Sequence, residues 1–222
     1  MPLSVIPSLL LFCSVFFQDD FNDGNADGWY TVGPSVFQVE NGEYHFSGGG
    51  AVNDATSYRG DAGETMSEGD YSMTASVEID VGTFGGMMVR YSETGDYNLL
   101  LVLSLPGQSL NLYRWYFDSI ELLDSHPIAV AADEPLMVRF QCLGNGFYGR
   151  AWVPGEPEPD GWQVSAFDTL SRNGSAALFS AGVFKGAEKI YMSCYFDNVV
   201  VETPEPVSLV PLTWGGLKAL PF

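Results

Sequence analysis

The sequence predicts an all-β protein of two packed antiparallel sheets, and three observations predict it. Short runs of alternating apolar and polar residues recur along the chain. Gly, Asn, Asp and Pro separate them at intervals of roughly 8 to 15 residues, the spacing of a sandwich. No segment carries a long helical period, and no repeat of fixed length is present. The 222 residues are enough for one domain with a sizeable core.

The N-terminal stretch MPLSVIPSLLLFCSVFFQDD holds an apolar run over positions 5–17, and its first charged side chain is Asp19. That length suits the hydrophobic part of a signal peptide and is short for a bilayer span. Residues 1–17 are therefore expected to be a signal peptide. No Lys or Arg precedes the run, however, and Phe17 before Gln18 is a poor cleavage site. A buried N-terminal strand is the other reading of these residues.

DFNDGNADGWY, Asp20 to Tyr30, follows. Asp23, Asn25 and Asp27 alternate ahead of Gly28, which is the first half of a D-x-[DN]-x-[DN]-G calcium loop. The twelfth position of such a loop needs a bidentate Glu and here is Pro34, so an EF-hand is not expected. Side chains of this kind suit Asx-turns that lead the chain into a buried Trp29.

VFQVENGEYHFSG alternates on both sides of Asn41-Gly42, a hairpin signal. YSMTASVEIDV puts Met73, Ala75, Val77, Ile79 and Val81 on one face and Thr74, Ser76, Glu78 and Asp80 on the other, which is a half-buried strand. GGMMVRYS, YNLLLVLSL, SLNLYRWYF, LMVRFQCLG, FYGRAWV, SAALFSAGVF and KIYMSCYFDNVVVE continue the series. VPGEPEPDGW, Val153 to Trp162, reads as a proline-dense extended excursion between two edge strands. The domain is expected to span residues 18–202. Residues 203–222 form a Pro-rich exit and an apolar tail too short and broken to span a membrane. That tail resembles a degraded PEP-CTERM sorting signal, with Pro204-Glu205-Pro206 present and the terminal basic cluster absent.

Acidic residues outnumber basic ones 28 to 9, for a net charge of -19. That argues against nucleic acid and anionic membranes as partners and suits a secreted or bacterial cell-surface protein. Cys142 and Cys194 share parity with apolar neighbours, so both should point into the core, either as a disulfide or as two free thiols. His45 and His126 each stand alone, without zinc-like spacing. No nucleophile elbow, phosphate-cradling glycine loop or CxxC occurs.

Sugar sites use exposed aromatic faces, because pyranose rings present apolar C–H patches to a π-surface. In SLNLYRWYF, Leu110 and Leu112 lie on one parity and Tyr113, Trp115 and Phe117 on the other. With the leucines in the core, the three aromatics line an outer face, and Arg90, Tyr97 and Arg114 could add hydrogen bonds. The alternative is that these rings cover sheet edges or sit under loops. Trp29, Trp152 and Trp162 are assigned to the core or to supporting loops.

The order DDFNDGNADGW, VENGEY, VRYSETGDYNLLLV, LNLYRW, GRAWVPGEPEPDGWQ, YFDNVVV resembles the secreted concanavalin A-like, laminin-G-like jelly rolls of bacterial surface proteins, over roughly residues 19–202. The resemblance implies a two-sheet antiparallel jelly-roll sandwich with the first and last strands side by side. It also implies a structural calcium (Ca2+) held by Asp20, the Gly42 carbonyl and Asp197, with Asp23, Asn25 and Asp27 as weaker candidates. Glu78-Ile79-Asp80 resembles the E-I-D-x-E signature of concanavalin-type glucanases, but the position of the second acid is Gly82. The expected function is a non-catalytic module binding a glycan or another cell-surface ligand. A glucanase-type glycoside hydrolase and a structural or assembly domain of a surface protein stay open as alternatives.

Overall fold

The computed structural model describes residues 14–33, 35–50, 54–59, 69–82, 84–92, 97–117, 119–170, 173–182 and 190–207. The C-terminal apolar tail from 208 and residues 1–13 of the expected signal peptide lie outside them.

The chain is an all-β, two-sheet antiparallel jelly-roll sandwich. Its strands are β1 (Val15–Asp19), β2 (Trp29–Val32), β3 (Val36–Glu40), β4 (Glu43–Gly50), β5 (Asp54–Arg59), β6 (Tyr71–Val81), β7 (Phe84–Tyr91), β8 (Tyr97–Ser104), β9 (Ser109–Tyr116), β10 (Ser119–Pro127), β11 (Leu136–Leu143), β12 (Gly146–Trp152), β13 (Val164–Phe167), β14 (Ser175–Ala181) and β15 (Ile190–Glu202). The first sheet runs β13-β12-β11-β6-β15-β4-β3, with β1 also on β15, and the second runs β10-β9-β8-β7-β14-β5-β2. Consecutive strands such as β6 and β7 often lie in different sheets, so most of the chain's pairings are non-local.

Alternation places the core. On β6, Met73, Ala75, Val77 and Ile79 are at most 2% exposed and face Met87, Val89, Leu99, Leu101 and Leu178 of the other sheet within one apolar cluster. Val81, expected on that buried face, is 44% exposed because it closes the strand at Gly82. The predicted hairpin is β3–β4, with Glu40 opposite Glu43. Its turn residues Asn41 (φ 54°) and Gly42 (φ 83°) both take the left-handed conformation that Asn-Gly adopts at low cost.

One edge of β15 is shared end to end by two strands. β4 pairs as far as Phe196↔Tyr44, and β1 takes over with Asp19↔Val199. Between them Asp197 and Asn198 form a bulge, with Asn198 at φ 52°. Val15, Phe16 and Phe17 therefore belong to a strand of the folded domain. Ser14 and Thr203 exchange hydrogen bonds, Phe17 packs on Trp29 at 5.7 Å, and the Arg59 guanidinium lies 4.0 Å over the Phe17 ring. The expected boundary after residue 17 falls inside β1.

The proline-dense loop joins β12 to the edge strand β13; β12 itself is internal. Arg139 and Arg150 both bind Glu158, and Arg150 lies 4.3 Å over the Trp162 ring. Gln141 exchanges two hydrogen bonds with the Glu205 backbone, at 2.8 and 3.0 Å, and Arg150 pairs with the Glu205 carboxylate. The PEP segment is thus clamped to the outer face of the first sheet.

Candidate functional site

The β9–β10 hairpin carries most of the predicted ligand residues, and strand alternation sorts them onto two faces. Arg114 stands opposite Leu99 and Glu121, and Tyr116 opposite Tyr97 and Ser119. This set shares parity with Leu110 and Leu112, which are fully buried in the core. Near the end of the strand, where the apolar core has run out, the segment following β13 faces them. There Arg114, Tyr97, Tyr116, Ser119, Glu121 and Leu170 line a cavity of about 290 Å³.

Arg114 organises this pocket. Its Nη1 donates to the buried Asp168 carboxylate at 2.9 Å, its Nε donates to Glu121 at 3.1 Å, and Nη2 also binds Glu121. Glu121, then the Tyr97 hydroxyl and Asp168, hold the guanidinium firmly charged. Burial, then Asp168, pushes the Tyr97 hydroxyl well above its usual range. That hydroxyl is buried beside both groups without a well-formed hydrogen bond. Tyr97 meets Tyr116 edge-on at 5.8 Å. Tyr116 is 49% exposed and Leu170 is 62% exposed, so two apolar walls flank a polar floor.

Tyr113 and Trp115 lie on the opposite parity, on the outer face of the second sheet, where the sequence places them. They are half-buried, not a free platform. Tyr113 meets Phe84 at 6.3 Å, and Trp115 meets Phe179 at 6.5 Å. With Met88, Leu100, Val102, Ala177 and Phe179 they form a second apolar cluster. The Trp115 Nε1 donates to the Phe117 carbonyl at 2.6 Å. Phe117 itself sits beyond the end of β9 at φ 49° and is 54% exposed. Tyr97 and Arg114, expected to support these rings with hydrogen bonds, face the other way, into the pocket.

Arg90 is not on this face either. Plain alternation would set it beside Met88, but the register shifts here, so that Ser175 faces Tyr91 and Ala177 faces Met88. Arg90 takes φ 53° in the bulge and turns inward, where it is 3% exposed. It donates to the Gly69 carbonyl at 2.6 Å, the Gly144 carbonyl at 2.8 Å and Asp70 at 2.8 Å, and lies 5.1 Å over the Phe147 ring. It ties strands together from a buried position, off the outer face that carries Tyr113 and Trp115.

The residues proposed for calcium meet at the β1–β4 junction on β15. A Cβ added to Gly42 would lie 2.9 Å from Asn22 Oδ1, so the hairpin turn and the segment after β1 are in contact. Asp197 is raised above its ordinary pKa by burial and by the charges of Asp20 and Asp19, and Glu43 by burial and Asp197. Asp20 is lowered by hydrogen bonds from Asn22. Both Asp197 oxygens accept hydrogen bonds from Asn198, at 2.6 Å. Among the described residues no three His, Cys, Asp or Glu side chains converge closely enough to hold an ion unaided. A cation here would need carbonyls, an amide oxygen and water as well, a donor set that calcium accepts. Asp23 and Asn25 make the expected Asx-turns, accepting from the Asn25 and Asp27 amides at 3.2 and 2.9 Å. Trp29 is buried, with its Nε1 donating to Asp19 at 2.8 Å.

Glu78 and Asp80 lie on the outer face of the first sheet, away from the hairpin pocket. His45 stacks on Tyr195 at 4.2 Å and touches Ser193 and Glu40. Cys142 and Cys194 are both buried and free, which closes the question of a disulfide between them. Burial pushes the Cys142 thiol up to about 11.

Sequence reasoning missed Tyr116, Ser119, Glu121, Asp168 and Leu170. Tyr116 stands in LYRWYF on the parity of the core-facing leucines, which by itself does not mark it as a pocket residue. Asp168 and Leu170 come from a distant segment, and nothing in their local sequence announces the contact.

This arrangement defines a concanavalin-like jelly-roll sandwich with a pocket at one end of its second sheet. The chain is similar in fold to carbohydrate-binding module CBM66 from Bacillus subtilis, at 13% identity and TM-score 0.63 over 79% of this chain and 96% of that one. It is similar to SCLam, a non-specific endo-β-1,3(4)-glucanase of family GH16, at 10% identity and TM-score 0.58 over 87% and 92%. The VIP36 exoplasmic/lumenal domain in its Ca2+/Man3GlcNAc-bound form aligns at 7% identity and TM-score 0.59 over 88% and 92%. No family model matches the chain, and no curated protein matches it.

Proposed function

We propose that the protein is a non-catalytic carbohydrate-binding module of a secreted or surface protein and that the hairpin pocket holds the sugar. One observation carries this reading. Tyr116 and Leu170 offer apolar surface beside a fixed array of polar groups, Arg114, Glu121 and Ser119, in a cavity of about 290 Å³. Sugar rings present a C–H face and a rim of hydroxyls, and this lining complements both. The fold neighbours include a carbohydrate-binding module and a domain in a Man3GlcNAc-bound form, which supports the reading by analogy alone.

A structural calcium at Asp20, Gly42 and Asp197 belongs to the same proposal. The mutually repelling carboxylates at the β1–β4 junction support it. Calcium would pin the N-terminal strand to the last one, remote from the sugar.

Binding of the full chain to immobilised polysaccharides, followed by recovery of the ligand, tests the reading. Retention with the glycan recovered intact is expected. Cleavage of the bound glycan would replace the module with a hydrolase. Binding that survives Tyr116→Ala but not Trp115→Ala would move the site to the outer face of the second sheet.

A further inference from the structure

We infer that the hairpin pocket receives the terminal residue of an uncharged glycan chain. This rests on the pocket being a sugar site. At about 290 Å³ the cavity is at the lower limit for small-molecule sites, roughly 300 to 1,000 Å³, so it has room for a chain end and not for a run of several units. Among the described residues three segments line it: the β9–β10 hairpin, the start of β8 at Tyr97, and the stretch after β13 that supplies Asp168 and Leu170. Among the described residues this lining gathers at one end of the second sheet and does not run along it.

The polarity follows from how Arg114 is spent. Anionic sugars are held by a guanidinium that offers two parallel donors to a carboxylate. Here Nη1 donates to Asp168, and Nε and Nη2 donate to Glu121, so the charge of the guanidinium is already compensated. The cation is outnumbered by two carboxylates, in a protein of net charge -19. An incoming uronate or sialate would meet Glu121, whose side chain is 58% exposed, and be repelled. Neutral hydroxyls would instead donate to Glu121, which Arg114 holds in place, while Tyr116 and Leu170 pack on the C–H face of the ring.

Titration calorimetry on the full chain tests this. The probes are the methyl glycosides of glucose, galactose, mannose, xylose, arabinose and fructose, the methyl glucuronide and galacturonide, and linear oligosaccharides of whichever sugar binds, native and with both ends oxidised to carboxylates. A neutral methyl glycoside should bind within about threefold of its oligosaccharide. End oxidation should weaken that oligosaccharide about tenfold or more, and Glu121→Gln should weaken the neutral sugar about tenfold while narrowing its advantage over the uronates. Undiminished binding of the end-oxidised chain, or a preference for uronates, overturns the inference and leaves glycan binding standing. Absence of binding to every probe overturns both.

Discussion

Arg90 brings a positive charge to a site that is 3% exposed, and it is tolerated there because two carbonyls, Asp70 and the Phe147 ring surround it. Removing one partner of a buried pair leaves its neighbours desolvated and unpaired, at a cost of about 3 to 5 kcal/mol. Arg90→Met should therefore lower the melting temperature by about 10 °C, a domain of this size losing roughly 2 to 4 °C per kcal/mol, and leave glycan binding unchanged in the material still folded. A variant that melts with the wild type but fails to bind would return Arg90 to the ligand site. Trp115 should behave similarly. It packs on Phe179 and donates to the Phe117 carbonyl, so Trp115→Ala should destabilise the protein by about 2 kcal/mol or more while the pocket keeps its sugar. Thermal unfolding and calorimetry on the same sample separate the two effects. Leucine parity correctly assigns Tyr113 and Trp115 to an outer face. It cannot show the bulge that turns Arg90 inward, because a one-residue register shift depends on the neighbouring strand and leaves no local pattern.

At the scale of elements, β15 holds β4 and β1 end to end, and the acidic bulge at Asp197 is where they meet. A chain beginning at Gln18 would lack the Phe17 ring that packs against Trp29 and Arg59, and the Ser14 bonds to Thr203. Such a truncation should melt several degrees below a chain beginning at Ser14; equal melting would show that β1 contributes nothing. Millimolar calcium should raise the melting temperature relative to chelator, since an ion that binds only the folded state stabilises it by mass action. Asp197→Ala should abolish that shift, and an unchanged shift in the variant would remove the site. Alternation alone makes β6 and the Asn41-Gly42 hairpin legible, because each is a local pattern. The pairing of β1 with β15 joins residues nearly the whole chain apart, and only the family resemblance anticipates it.

For the molecule as a whole, the charge balance produces a pH dependence. Glu43, Glu78 and Asp197 are raised chiefly by burial, and Asp133 chiefly by its hydrogen bond with Asp80. The folded state then binds more protons than the unfolded one in the window just above the ordinary carboxylate range, so stability falls as pH rises through it. In chelator the melting temperature should climb as pH is lowered from 7 toward 5, and calcium should flatten the Asp197 and Glu43 part of that slope. A melting temperature that drops steadily over the same interval would contradict the assignment.

The pocket is the central claim, and a glycan array probed with the full chain, its Tyr116→Ala variant and its Glu121→Gln variant tests it most directly. The wild type should bind glycans that share a terminal neutral sugar, and both variants should fall silent at the same concentration while unfolding at the wild-type temperature. A wild type that binds nothing, or variants that bind as it does, would contradict the account and favour a structural or assembly role for the sandwich.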